Sequence, residues 1–400
     1  MKKAISFFIL FIMLHTSSLA FYSTIPVWYD GDEITEVNSE NNENFLNLEA
    51  ESAILIESTT GKVLYEKNPH EPLRPASVTK IMSILLIMEA LDKGEITLET
   101  KVPCSETASS MGGSQIWLDT TETLTVDEML KAICVVSAND CTYAMAEFLA
   151  GSESLFVQKM NDKAKELGMN DTTFKNCHGI DEDGHVTSSY DIAIMSKELL
   201  NNHPNITNYT TIWMDSLRNG KSELVNTNKL IRTYDGITGL KTGSTSLALY
   251  NLSASATRGD LSLIAVIMRA PTAKTRFKEA KLLLDYGFNT YQYKKIANKG
   301  DFFQTVTVSK GIETNLDLIF EKDCGMLLEK SNTSEINQEL ILNENLQAPI
   351  NKGDVIGNIN YYLDNNLIDS VNLIANSDIS KKTFWNTFNY IATDWLRMFK

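Results

Sequence analysis

Arg74-Pro75-Ala76-Ser77-Val78-Thr79-Lys80 leads without a break into Ile81-Met82-Ser83-Ile84-Leu85-Leu86-Ile87-Met88-Glu89-Ala90-Leu91. The apolar stretch from Val78 to Leu91 is too long for a strand, and no Gly or Pro interrupts it. It reads as a buried helix that ends near Gly94. Residues i and i+3 share a helix face. Ser77 and Lys80 therefore meet at one end of a core element. Burial lowers a lysine pKa, so the Lys80 amine can act as a base toward the Ser77 hydroxyl. Ser-x-x-Lys alone is common in a chain of this size, and a capping Ser followed by a solvated Lys gives the same string.

Working outward, Asp127 to Val135 and Cys141 to Ala150 read as helices on either side of Ser137-Ala138-Asn139. The apolar Ile133-Cys134-Val135-Val136 places that short connection against the core. A similar string, Ser39-Glu40-Asn41, lies in a polar stretch and carries no such implication. Phe156 to Leu167 is amphipathic with Gly168 as its C-terminal signal, and Asp191 to Asn201 is a further helix. Leu249 to Ala256 and Leu261 to Met268 are strand-like runs joined at Arg258-Gly259-Asp260. They follow Lys241-Thr242-Gly243, which places a cation and a hydroxyl on a strand where Gly243 leaves room for close approach to the backbone. Ala53 to Glu57 and Lys62 to Tyr65 read as a hairpin. Lys274 to Tyr286 reads as a helix closed by Gly287.

The flanks have other characters. Lys2 and Lys3, the apolar Ala4 to Leu14 and Ser18-Leu19-Ala20 form a secretory signal peptide, residues 1–20, cut after Ala20. Residues 21–46 are an acidic polar linker. A compact catalytic domain is expected over 47–292. A β-rich domain over 293–377 has candidate strands at Phe303 to Val308, Leu316 to Phe320, Leu340 to Leu342, Val355 to Tyr362 and Val371 to Ala375. In 378–400, Phe384, Phe388, Ile391, Trp395 and Phe399 fall on one helical face flanked by Lys381, Lys382, Arg397 and Lys400. That pattern predicts an amphipathic helix lying on a membrane surface.

Composition limits the function classes. The 400 residues are 43% hydrophobic and 22% charged, as in folded proteins of two or three domains. With 36 basic against 51 acidic residues the net charge is −15, and such a surface repels nucleic acid. Cys104, Cys134, Cys141, Cys177 and Cys324 are odd in number and contain no Cys-x-x-Cys pair, so buried thiols are expected rather than a disulfide framework or zinc site. His178, Asp181, Asp183 and His185 share one loop, but their spacing fits no standard metal site. No cofactor is expected.

Ser77-x-x-Lys80, Ser137-x-Asn139 and Lys241-Thr242-Gly243, in this order, match the set shared by penicillin-binding proteins and serine β-lactamases. The surrounding residues narrow the likeness. Arg74 to Lys80, Val136 to Asp140, Gly239 to Gly243, Asn176 to Asp183 and Asn226-Thr227-Asn228-Lys229-Leu230 resemble the low-molecular-mass D-alanyl-D-alanine carboxypeptidases of the S11 peptidase family. The likeness covers nearly all of the mature chain. It departs at Ser244, where some relatives carry His.

The resemblance implies an α/β (α+β) transpeptidase-like catalytic domain with a central antiparallel sheet flanked by helices, a small C-terminal all-β domain and the amphipathic anchor. It implies a hydrolase that removes the terminal D-alanine of peptidoglycan pentapeptide stems. The enzyme would be exported to the outer face of the cytoplasmic membrane or the cell wall, and β-lactam antibiotics would be its covalent inhibitors. Ser77 would be the nucleophile and Lys80 its base, with Lys241 nearby. Ser137 would relay a proton to the leaving amine, and Asn139 would hold the substrate amide. The backbone N–H groups of Ser77 and Ser244 would form an oxyanion hole. Thr242, Gly243, Ser244 and Arg276 would bind substrate, the carboxylate falling to Thr242, Ser244 and Arg276. A β-lactamase is the nearest alternative, but no Glu-x-x-x-Asn segment stands where the deacylating Glu would be needed. A D,D-endopeptidase would use the same site, and a non-catalytic penicillin-binding wall protein would not need all three motifs.

Overall fold

The structure is a computed structural model that describes residues 45–385 and Phe388. The expected signal peptide, nearly all of the expected acidic linker and most of the expected anchor segment lie outside the described residues.

A five-stranded antiparallel sheet organises the larger part. Its strands are β1 (Ser52–Glu57), β2 (Val63–Lys67), β3 (Ile237–Thr245), β4 (Leu249–Arg258) and β5 (Leu261–Ala270), in the order β2-β1-β5-β4-β3. Side chains alternate between the two sheet faces, and both faces are covered. Ile54, Ile56, Ile264, Val266 and Met268 enter one core, while Ala53, Leu55, Leu263, Ala265 and Ile267 enter the other. This double burial explains why Leu261 to Met268 reads as an almost unbroken apolar run rather than an alternating one.

Helices α1 (Lys80–Asp92), α2 (Val126–Val135), α3 (Asn139–Ala150), α4 (Glu153–Glu166) and α5 (Ser189–Asn202) belong to the first core. Helix α6 (Ala273–Thr290) covers the second. Helix α1 is apolar nearly all round because the sheet and α3, α4 and α5 enclose it. It starts at Lys80, later than the expected Val78. Ala76–Thr79 forms a 3-10 turn instead, with Ala76 in the left-handed region at φ 49°. Helix α2 opens on a capping box: Glu128 N–H donates to Thr125 Oγ1, and Thr125 N–H donates to Glu128 Oε2.

Gly287 does not close α6. The helix continues to Thr290, and Gly287 faces the sheet, where a Cβ would stand 2.6 Å from Leu263 Cδ1 and 3.0 Å from Leu55 Cδ2. The glycine serves helix-to-sheet packing rather than termination.

The C-terminal all-β domain carries β6 (Tyr291–Ala297), β7 (Phe302–Thr307), β8 (Asn315–Phe320), β9 (Cys324–Glu329), β10 (Ile336–Leu342), β11 (Val355–Leu363) and β12 (Asn366–Ala375). A second antiparallel sheet runs β7-β8-β12-β11-β10, and β6 pairs with β9. Strand β6 leaves α6 directly, and position 293 falls inside it. Its Tyr291 and Tyr293, with Leu327 of β9, pack on the second core. Two lysines in β6 hide this strand from a hydropathy reading. The chain beyond β12 is extended rather than helical at first. Ile379 is buried and bridges Ile350, and Lys381 bridges Gly311. Helical structure among the described residues appears only at Phe384.

Candidate active site

The three motifs converge beside β3, an edge strand of the first sheet. The junction between α2 and α3 is two residues longer than a single capping residue and carries Ser137 in the left-handed region at φ 63°. Residues held in such conformations cluster at functional sites because the surrounding structure must enforce them. Ser137 Oγ is buried and has no hydrogen-bond partner.

Lys80 is fully buried, whereas Ser77 at the head of its turn is partly open. Lys80 Nζ lies 3.0 Å from Ser77 Oγ, 2.6 Å from Asn139 Oδ1 and 2.7 Å from the His178 carbonyl oxygen. The last two groups can only accept. A neutral amine donates its two hydrogens to them and has one lone pair left, which faces the serine hydroxyl. Burial, and next the positive charge of Lys241, hold Lys80 well below the usual lysine range. Burial also brings Lys241 down to about 7, and the nearby Arg276 pushes it the same way.

Asn139 is fixed on all sides. Its Nδ2 donates to Gly112 O at 2.7 Å, and its backbone N–H donates to Ser114 O at 2.7 Å. The following Asp140 is buried and accepts the backbone N–H groups of Ile116 and Leu118. The segment from Gly112 to Leu118 is thereby tied to the start of α3.

On β3, Lys241 and Thr242 are buried and Ser244 is exposed. Lys241 Nζ donates to Thr242 O at 3.0 Å, and Thr242 Oγ1 donates to Thr227 Oγ1 at 2.7 Å. Thr227 belongs to the Asn226-to-Leu230 segment singled out in the sequence. Arg276, from the first turn of α6, is buried behind the strand. Its Nη1 donates to the carbonyls of Gly243 at 3.0 Å and Asn251 at 3.2 Å, and its guanidinium lies 4.8 Å from the Phe277 ring centroid. Burial lowers Arg276 to about 10, still charged at neutral pH.

Gly243 also makes room inside the fold itself. A Cβ there would stand 2.8 Å from Pro75 O and 2.9 Å from both Ser77 N and Val78 N. The close neighbour is the chain's own serine turn. Its pairing partner across the ladder is Asn251 of β4, on the same face. Asn251 Nδ2 donates to Arg74 O at 2.8 Å and Pro75 O at 3.0 Å. One strand thus makes room for the turn and the next one clasps it. Asn251 escaped sequence reasoning; an amide inside the strand run Leu249 to Ala256 was the available signal.

The His178–His185 loop divides its polar groups among separate tasks. The His178 carbonyl serves Lys80, His185 Nε2 lies 2.8 Å from Thr79 Oγ1, and Asp183 pairs with Arg74 at 3.0 Å. Burial, with Lys80 for His178 and Arg74 for His185, lowers these imidazoles to about 3 and about 4. Among the described residues no group of three or more His, Cys, Asp or Glu side chains could hold a metal ion. All five cysteines are buried free thiols, as expected, and burial pushes Cys134 up to about 12.

A lysine-facing serine turn, a Ser-x-Asn junction and a Lys-Thr-Gly edge strand on this sheet define the serine acyltransferases that react with penicillin. Residues 36–272 match the family described as Peptidase_S11, D-alanyl-D-alanine carboxypeptidase, and residues 291–381 match the penicillin-binding protein 5 C-terminal domain. The chain belongs to the Peptidase_S11 family of D-alanyl-D-alanine carboxypeptidases. It is 42% identical to the D-alanyl-D-alanine carboxypeptidase DacF of Bacillus subtilis, over 99% of this chain and 100% of that one. It is 32% identical to DacA of Escherichia coli, over 84% of this chain and 85% of that one. Penicillin-binding protein 5 of Haemophilus influenzae superposes with a TM-score of 0.72 at 32% identity, covering 84% of this chain and 98% of that one. Penicillin-binding protein D2 of Listeria monocytogenes in its ampicillin-bound form gives 0.56 at 31% identity, covering 61% and 99%.

Proposed function

We infer that this chain is a serine D-Ala-D-Ala carboxypeptidase of peptidoglycan metabolism, and that β-lactams acylate the serine that attacks the stem peptide. The position of Lys80 Nζ carries the assignment of roles: two acceptors take its hydrogens, and its remaining side faces Ser77 Oγ.

In this reading the pentapeptide stem lies along the open edge of β3 as an added strand. Ser77 Oγ attacks the carbonyl between the two D-alanines while its proton passes to the neutral Lys80 amine. The backbone N–H groups of Ser77 and Ser244 receive the developing oxyanion. Asn139 holds the substrate amide and orients Lys80. Ser137 passes a proton to the departing nitrogen, so that the C–N bond breaks and D-alanine leaves as a neutral amine. Water, deprotonated through Lys80, then splits the ester to free the shortened stem and restore Ser77. Thr242 and Ser244 bind the terminal carboxylate, Gly243 keeps the turn seated, and the positive charges of Lys241 and Arg276 favour that anion.

The chemistry requires the chain to be outside the cytoplasm, on the wall side of the membrane. Membrane attachment through the C-terminal segment is part of the same reading. Phe384, Trp385 and Phe388 are 76%, 68% and 52% exposed, and exposed Lys381 and Lys382 precede them. Such an aromatic cluster beside cations suits an anionic lipid interface. Among the described residues no helix is long and apolar enough to cross a membrane.

The test is D-alanine release from diacetyl-L-Lys-D-Ala-D-Ala by the purified protein, compared with Ser77→Ala. Release that vanishes in the variant is expected. Release that persists in the variant, or is lacking in the parent, contradicts the reading.

A further inference from the structure

Trp117 is 75% exposed, the most open large apolar side chain of the larger domain, yet its backbone is held by hydrogen bonds on both sides. It sits in the left-handed region at φ 62°, a conformation that a bulky residue adopts only under constraint. The constraint comes from both sides. Asp140 Oδ2 accepts the N–H groups of Ile116 at 3.0 Å and Leu118 at 3.1 Å. Arg218 donates to the carbonyls of Ile116 at 2.8 Å and Trp117 at 3.2 Å, and is itself fixed by Glu122. Ile116 and Leu118 are buried, so they anchor the segment while Trp117 faces outward. Nothing within the fold requires an indole here, and leaving one exposed forfeits its burial.

The same segment is joined to the reaction centre. Gly112 and Ser114 accept from Asn139, the residue that contacts Lys80. In the carboxypeptidase reading above, a substrate whose amide is held by Asn139 would continue, toward its N-terminus, past this segment. The first side chain met beyond the D-alanines is that of the stem's third residue. Asp119, two positions after Trp117, is exposed, and its carboxylate accepts the N–H of Thr121 at 2.8 Å and the Thr121 hydroxyl at 2.5 Å while leaving its other oxygen open.

We propose that Trp117, with Asp119 beside it, is a specificity-determining residue that receives a long aliphatic, amine-bearing side chain on the third residue of the stem peptide. The indole face takes the methylenes and attracts the ammonium, and the carboxylate adds charge. This proposal rests on the carboxypeptidase reading above.

The test compares D-alanine release from Nα-acetyl-L-Lys-D-Ala-D-Ala, whose ε-amine is free, with release from Nα-acetyl-L-Ala-D-Ala-D-Ala. The parent should favour the lysine peptide. Trp117→Ala should lose about 5- to 20-fold in kcat/KM on that peptide, mainly through KM, and at most about twofold on the alanine peptide, as expected for a contact of cation–π strength. Trp117→Phe should recover part of the loss. Benzylpenicillin acylation, which involves no such side chain, should be unchanged and shows that the variants are folded. Equal losses on both peptides, or none on either, would overturn the assignment of Trp117 while leaving the carboxypeptidase reading intact. No D-alanine from either peptide with the parent protein would overturn both.

Discussion

Lys80 Nζ stands 3.0 Å from Ser77 Oγ across the boundary between a 3-10 turn and the first residue of α1. The pair is three residues apart in sequence, but its geometry depends on distant parts of the chain. Asn139 and the His178 carbonyl orient the amine, while Gly243 and Asn251 seat the turn that carries the hydroxyl. The reactive pair is local in sequence and its preorganisation is not.

The unpartnered hydroxyl of Ser137 gives a sharp separation of activity from stability. A buried hydroxyl without a partner contributes nothing favourable to folding, so Ser137→Ala should leave Tm unchanged or slightly higher. Its kcat should fall by about 100-fold or more if the hydroxyl carries a proton to the leaving amine. Thermal melts and D-alanine release, measured on the same preparation, check both halves.

The two closely packed glycines should respond differently. Gly243→Ala forces its Cβ against backbone atoms of Pro75, Ser77 and Val78, so acylation should fail along with a stability loss of about 1–3 kcal/mol. Gly287→Ala meets side-chain ends of Leu263 and Leu55, and alanine's helix preference offsets about 1 kcal/mol of that crowding. It should therefore retain activity with a smaller loss. Penicillin labelling and urea denaturation distinguish the two.

Asn251→Ala tests the clasp on the serine turn. It strips a partner from the carbonyl of Arg74 and from the Arg269 N–H, and leaves the Pro75 carbonyl with only the Val78 N–H at 3.3 Å. Unpaired buried groups of this kind cost about 1–3 kcal/mol each where water cannot reach them. Acylation by benzylpenicillin should slow more than substrate KM changes, because the nucleophile is displaced while the substrate-binding edge of β3 stays in place.

Buried Lys241 predicts a pH-dependent trade between stability and function. Its folded pKa of about 7 lies below the ordinary 10.5, so the unfolded chain binds more protons between these values. The stability cost is complete below about pH 7 and is relieved as pH rises toward 10.5. Lys241→Met should therefore be inactive yet more stable than the parent near pH 6.5, with an advantage that shrinks by pH 9.5. A Tm difference that grows with pH would contradict this. Removing the Lys241 charge should also raise the Lys80 pKa, shifting the acid limb of any residual penicillin acylation to higher pH.

Much of this site was legible in the sequence for a physical reason. Ser77, Lys80, Ser137, Asn139 and Lys241 occur in short strings whose spacing their chemistry requires. The structure brings them to the β3 edge of the first sheet. What escaped the reading acts through the backbone or across long separations. The His178 carbonyl has no residue signature, Asn251 lies 174 positions from Ser77 in sequence, about half the chain away, and the close approach at Gly243 is to another loop. Gly287 misled because a glycine near a helix end signals termination unless a sheet lies against it. Strand β6 was missed because Lys294 and Lys295 break its apolar pattern.

The most direct measurement of the central claim is mass spectrometry of the protein after brief exposure to benzylpenicillin, followed by peptide mapping. The account predicts a single covalent adduct on the peptide that contains Ser77, lost in Ser77→Ala and much slowed in Lys80→Ala. An adduct on another residue, or labelling that survives in Ser77→Ala, would contradict it.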